Sequence, residues 1–206
     1  MRHRPLVIVN PQAGAGRAGK GLDAFLQVVR GALGEIDVAL TERPRHATEL
    51  AEAAAREGRE IVVATGGDGS VHEVACGLLA GRERGFRQAS LGIIGRGTGG
   101  DLCRTLGIEH RLDRYLAVIA ANCPRPIDVG KISYLGNSGE REAGYFINIL
   151  SAGMGGLVDR YVHRHTGWAG GKLAYFVASA QALRDSTISR LRATIELDGE
   201  TREEEI

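Results

Sequence analysis

The residues best suited to chemistry in this chain are Gly66-Gly67-Asp68-Gly69-Ser70-Val71-His72, directly after the apolar run Ile61-Val62-Val63-Ala64. Glycines let the backbone bend sharply and keep side chains out of a ligand's path. A helix that begins after such a turn presents free N–H groups and the positive end of its dipole, which suits phosphate. Asp68 adds one carboxylate to that anion-friendly loop, as expected if it handles a metal ion or a ligand hydroxyl beside the phosphates. The combination points to a nucleotide and to phosphoryl transfer. The plain alternative is a tight strand–helix turn with Asp68 as helix cap, but the paired glycines ahead of the acid exceed what a cap requires.

Two further glycine-rich loops also follow apolar runs. Asn10-Pro11-Gln12-Ala13-Gly14-Ala15-Gly16-Arg17-Ala18-Gly19-Lys20-Gly21 contains Gly-x-Gly-x-x-Gly and nearly matches a P-loop. Gly21, however, stands where the P-loop needs a magnesium-binding hydroxyl, so that match is incomplete, while the Gly14, Gly16 and Gly19 pattern leaves a dinucleotide site as one alternative. Glu42 lies near the acid position of a dinucleotide fingerprint. The remaining readings are a phosphate-contacting loop with Arg17 or Lys20 as counter-charge, or a flexible connection. The third loop, Gly95-Arg96-Gly97-Thr98-Gly99-Gly100-Asp101, offers backbone N–H groups, the Thr98 hydroxyl, and Asp101 as a ligand contact or a helix cap. Three such turns in one sheet can converge on one polyanion. His72 is read as phosphate-facing or solvated, and Glu73 as a partner of the helix dipole rather than a base. His163, Arg164 and His165 lack an evident third ligand for a metal. Trp168 reads as packing or as a peripheral anchor.

The elements that position these loops alternate strand and helix over the first 120 or so positions. Leu6–Val9, Ile36–Leu40, Ile61–Ala64 and Leu91–Ile94 read as strands. The sets Leu22/Phe25/Leu26/Val29/Leu33, Ala47/Leu50/Ala51/Ala54, Val71/Val74/Ala75/Leu78 and Leu112/Tyr115/Leu116/Ile119 recur at helical spacing. The pattern predicts an α/β fold, a mostly parallel sheet with helices on both faces. Ligands bind beyond the carboxyl ends of such strands, where all the glycine loops fall. After Pro124-Arg125-Pro126 the pattern changes to two strands, Ile127–Leu135 and Gly144–Leu150, a helix around Leu173–Leu183, and a strand over Leu191–Leu197. Asp198-Gly199 signals a turn, with little chain left for a return strand. The expected division is an α/β nucleotide-binding domain over 1–124 and the opening of a mainly β domain over 125–206.

Composition sets the remaining bounds. The 206 residues are 43% hydrophobic and 25% charged, with a net charge of +1, which gives no global electrostatic argument for nucleic acid. Cys76, Cys103 and Cys123 are scattered and fit a reducing compartment. No apolar run approaches the about 20 residues of a membrane span. The expectation is a cytoplasmic protein whose membrane contact is peripheral.

The ordered loops resemble a known family. Asn10-Pro11 after a strand, Gly66-Gly67-Asp68-Gly69-Ser70 and Gly97-Thr98-Gly99-Gly100-Asp101 are similar to the signature loops of the diacylglycerol kinase catalytic domain family. Ile127-Asp128-Val129-Gly130, Phe146-Ile147-Asn148, Gly153-Met154-Gly155 and Gly171-Lys172-Leu173-Ala174-Tyr175 resemble the opening of that family's second domain. The resemblance implies an NAD kinase-like N-terminal α/β domain of three layers, followed by the start of a β-sandwich domain. It implies ATP and Mg2+ as cofactors and a lipid hydroxyl, such as that of diacylglycerol, as acceptor. It places nucleotide contacts on Asn10, Thr41, Gly66, Gly67, Asp68, Gly69, Ser70, Val71, His72 and Thr98, with no metal ligand of its own among them. It places the general base and structural magnesium ligands beyond Ile206. Two positions depart from the family, which usually has Pro at Gly95 and Asn at Gly100. An NAD kinase-like enzyme, which shares Gly-Gly-Asp-Gly, and a non-catalytic nucleotide-binding module are the competing readings.

Overall fold

The structure, a computed structural model, describes residues 4–14, 16, 18–97, 99–135, 138–150, 154–165, 171–185, 192–197 and 200–205. The chain divides into two compact units, Met1–Asn148 and Ile149–Ile206.

In the first unit, strands β1 (Leu6–Val9), β2 (Asp37–Leu40), β3 (Ile61–Gly66) and β4 (Ser90–Gly95) form one parallel sheet in the order β2-β1-β3-β4. Val7, Val9, Val62, Val63 and Ala64 are fully buried. Both faces of these central strands are covered, so they read as unbroken apolar runs rather than as alternating ones. Helices α1 (Leu22–Leu33), α2 (His46–Arg56), α3 (Asp68–Glu83), α4 (Asp101–Thr105) and α5 (Leu112–Ala121) follow the strands. The chain steps from β1 to β2 in one direction, then crosses back over β1 to reach β3 and β4. Right-handed crossovers then put α1 on one face and α2 with α3 on the other. The packing agrees, since α1 meets α5 while α2 meets α3. Each helix buries the stripe its spacing predicts, Phe25/Leu26/Val29 on α1 and Tyr115/Leu116/Ile119 on α5.

The reversal of strand order between β1 and β3 is the feature that places the site. Connections leave those neighbouring strands toward opposite faces, which opens a crevice at their carboxyl ends.

Strands β5 (Gly130–Leu135) and β6 (Arg141–Phe146) complete the first unit as an antiparallel hairpin paired from Gly130↔Phe146 to Leu135↔Arg141. The second of these was expected over Gly144–Leu150. It starts earlier because the hairpin turn fixes register outward from Leu135↔Arg141, and two residues past its end Asn148 Oδ1 accepts a hydrogen bond from Thr105 Oγ1 at 3.0 Å.

The second unit holds α6 (Met154–His165), α7 (Gly171–Asp185), β7 (Arg192–Leu197) and β8 (Glu200–Glu205). Helix α6 was not expected, because its start, Met154-Gly155-Gly156, reads as part of a glycine-rich loop. It packs on α7, whose Ala178 and Ala182 are fully buried. The expectation that too little chain remains for a return strand is corrected. Strand β8 pairs antiparallel with β7 over its whole length, from Leu197↔Glu200 to Arg192↔Glu205. No described helix is long and apolar enough to cross a membrane.

Candidate functional site

The three glycine turns meet at the carboxyl ends of β1, β3 and β4. Asn10 N–H donates to Thr65 O (2.9 Å) and Thr41 N–H to Val9 O (2.9 Å), so both extend the sheet by one residue. Asn10 Oδ1 accepts the Gln12 N–H at 3.0 Å, which turns the chain back on itself. Its Nδ2 donates to Ser70 Oγ at 3.0 Å and so spans the switch point from β1 to α3. Gly66 is required at this junction, because a Cβ there would overlap the Ser70 side chain.

The second and third turns touch backbone to backbone. Arg96 N–H donates to Gly66 O at 2.8 Å, and a Cβ on Gly97 would lie 2.5 Å from Gly67 Cα. Asp68 is the first residue of α3, and Gly67 before it takes the cap position. Asp68 therefore does not cap its own helix. Its Oδ2 instead accepts the Gly100 N–H at 2.7 Å, and a Cβ on Gly99 would strike the same oxygen. Side chains at 97 and 99 would prevent this approach. The resulting crevice is lined by Gly66, Gly67, Asp68, Gly97, Gly100 and His110 among others.

Arg96, not singled out in the sequence, joins all three turns. Its guanidinium lies 4.2 Å above the Phe25 ring on α1, and Nη2 reaches Lys20 O at 3.4 Å. Its backbone meanwhile pairs with Gly66. Such a cation–ring contact stabilises by about 0.5–2 kcal/mol, more when water is excluded. The only signal available beforehand was one large cation among glycines.

Several expected roles are resolved differently. Asp101 is neither cap nor crevice residue, since Gly100 occupies the cap and Asp101 pairs with Arg104 at 2.9 Å. Glu73 Oε1 accepts the Arg45 N–H (3.1 Å) while Thr48 Oγ1 donates to Glu73 O (3.0 Å), so Glu73 latches the start of α2 to α3. His72 is exposed, with Nε2 3.5 Å from Cys76 Sγ one turn on. Burial pushes the Cys76 thiol up from its ordinary value. Among the described residues no group of three or more His, Cys, Asp or Glu could hold a metal ion. Thr98, Arg17 and Trp168 lie outside the described residues, as do the side chains of His163 and His165.

A family model, the diacylglycerol kinase catalytic domain, matches residues 4–132. The chain belongs to that family. Proteins called diacylglycerol kinase from two Staphylococcus aureus strains are each 30% identical over 200 residues, covering 97% of this chain and 58% of their own length. The chain thus spans somewhat over half the length of the curated relatives it matches. A solved diacylglycerol kinase structure from Bacillus anthracis strain Sterne aligns over 98% of this chain and 61% of its own, at 23% identity and a TM-score of 0.64. That likeness supports the α/β fold, and the parallel sheet with helices on both faces agrees with it.

Proposed function

We propose that this chain carries the nucleotide-binding part of an ATP-dependent lipid kinase, which transfers the γ-phosphoryl group to a hydroxyl such as that of diacylglycerol. The observation that carries the reading is the convergence of three glycine turns on one strand-order reversal, tied by Asn10–Ser70, Arg96–Gly66 and Asp68–Gly100. Family membership supports a kinase reaction, and the relatives' name supports a lipid acceptor.

In this reading Asn10, Thr41, Gly66, Gly67, Asp68, Gly69, Ser70, Val71, His72 and Thr98 form the nucleotide site. Backbone N–H groups of Gly67–Ser70 face the phosphates at the start of α3, while the Val71 N–H closes the first helical turn on Gly67 O. Phosphoryl transfer rests mainly on positioning and charge stabilisation, which fits a site built from backbone. Mg2+ is held by one or two carboxylates plus substrate phosphates. The residues present fit that pattern, because Asp68 commits Oδ2 to Gly100 and retains Oδ1. Bound there, the ion would offset phosphate charge. The division into 1–124 and an opening mainly β domain over 125–206, and a peripheral place at a cytoplasmic membrane face, belong to the same proposal.

Isothermal titration of MgATP into the chain and into Asp68→Ala tests the site. Binding by the native chain and a loss of about tenfold or more in the variant, with melting unchanged, are expected for a charge-assisted contact. Equal binding by both would remove Asp68 from the site. Assay of the whole gene product on diacylglycerol vesicles against NAD tests the acceptor. Preference for NAD would favour the soluble-alcohol reading, and ATP binding without turnover on either would favour a regulatory module.

A further inference from the structure

A group of side chains outside the glycine motifs stands at the third turn. His110, from the connection between α4 and α5, lines the crevice together with Asp68 and Gly100. Its Nδ1 lies 2.6 Å from Tyr115 Oη, with the rings edge to face at 5.8 Å between centroids. Tyr115 is 2% exposed. Burial, reinforced by the adjoining Cys103 and the charge of Asp68, holds its phenol well above the ordinary value. The group is therefore a neutral O–H. Where the phenol donates to Nδ1 the imidazole hydrogen sits on Nε2, and where it donates to Cys103 the hydrogen sits on Nδ1.

This pair occupies space that a side chain in the third turn would otherwise take. A Cβ on Gly95 would lie 2.6 Å from Tyr115 Oη and 2.8 and 2.9 Å from His110 Cε1 and Nδ1. A Cβ on Gly100 would lie 3.6 Å from the same Nδ1. Both glycines thus face His110, and Gly100 is the residue whose N–H meets Asp68.

We propose that His110, held by Tyr115 in the tautomer with its hydrogen on Nε2, is a positioning residue of the nucleotide site, filling the volume left at Gly95 and offering Nε2–H to the phosphate-bearing ligand. This rests on the nucleotide reading above and extends it to a residue outside the glycine loops. The device is reciprocal: Gly95 admits the rings, and the rings fix the height of the turn beneath them. Tyr115 acts on the ligand only through His110.

MgATP titration and thermal melting of His110→Ala, Tyr115→Phe, Gly95→Ala, His110→Ala/Tyr115→Phe and the triple variant test this. His110→Ala is expected to weaken ATP about tenfold, the loss of one hydrogen bond to a charged group. Its melting temperature stays within about 3 °C of native, and added imidazole restores part of the affinity. Tyr115→Phe, which keeps the ring, gives a smaller loss of the same kind. Gly95→Ala weakens ATP more than about tenfold in the native background but less than about threefold once both polar rings are trimmed, a departure from additivity that marks direct coupling. Native affinity in His110→Ala, or an equal Gly95→Ala penalty in both backgrounds, overturns the proposal. If the double variant does not melt cooperatively, Tyr115→Phe and imidazole rescue decide, and absence of both effects overturns it as well. A native chain that binds no ATP sinks the nucleotide reading itself, and this inference with it. ATP binding without the His110 effects sinks only this inference.

Discussion

Thr65 sits at the centre of the site without being exposed to it. Its side chain is fully buried at the end of β3, and Oγ1 has no hydrogen-bond partner among the described residues. A buried, unpaired hydroxyl costs about 1–3 kcal/mol. Thr65→Val keeps the branched shape, so it is expected to raise the melting temperature by roughly 2–6 °C in calorimetry. A fall would mean that the hydroxyl has a polar partner in solution. Asp68 shows how residue-level reading divides. Its type and its place between glycines made it a candidate from sequence. That its Oδ2 holds the Gly100 N–H across the crevice depends on two turns separated by 32 positions meeting in space. The cap reading failed for the same reason, because Gly67 was free to take that position.

At the scale of elements, the seam between α2 and α3 explains glycines that have no turn to make. Gly77 and Gly81, one helical turn apart on α3, face Ala51 and Ala55 on α2. A Cβ on Gly77 would run into Thr48 O and lie 2.8 Å from the Ala51 methyl. Backbone oxygen cannot rotate away, so the helices would have to separate. Gly77→Ala is expected to destabilise by about 1–3 kcal/mol despite alanine's better helix propensity. Gly31 on α1 is the control. Nothing lies within 4 Å of its Cβ position, so Gly31→Ala should stabilise by about 0.5–1 kcal/mol. Denaturant titration of both reads the opposite signs, and matching signs would refute the seam. Elements with strong patterns, β1, β3, α1 and α5, were legible because burial on known faces leaves a periodic trace. Helix α6 and strand β8 were not. One begins in glycines, and the other is almost wholly charged, Glu200-Thr201-Arg202-Glu203-Glu204-Glu205, and is paired with β7 along its length.

For the molecule as a whole, the sheet is fastened at the end away from the site. Arg59, ahead of β3, pairs with Asp37 on β2 and donates to Arg4 O at 3.1 Å, and Nε reaches Glu57 at 3.2 Å. The Arg59 hydrogen bond holds the Asp37 carboxyl below its ordinary value of 3.8, against the opposing effect of burial and with help from the Arg59 and Arg4 charges. A lowered folded-state value means the unfolded chain binds the proton more tightly. The contribution is complete above the unfolded value and is lost as pH falls through the folded one. Asp37→Asn should therefore flatten the acid limb of stability below about pH 4 and leave the slope near neutrality unchanged. An unaltered acid limb would show that the pair does not persist in solution.

The sequence by itself determined the α/β class, the strand–helix alternation and the three glycine turns, because burial periodicity and turn chemistry are local properties. Only the tertiary structure decided which turns touch. The reversal of strand order between β1 and β3 sets adjacent tips apart by backbone direction, and no local pattern encodes strand order. The same holds for Arg96 over Phe25 and for His110 against Gly95. Each joins segments whose distance along the chain says nothing about their distance in space.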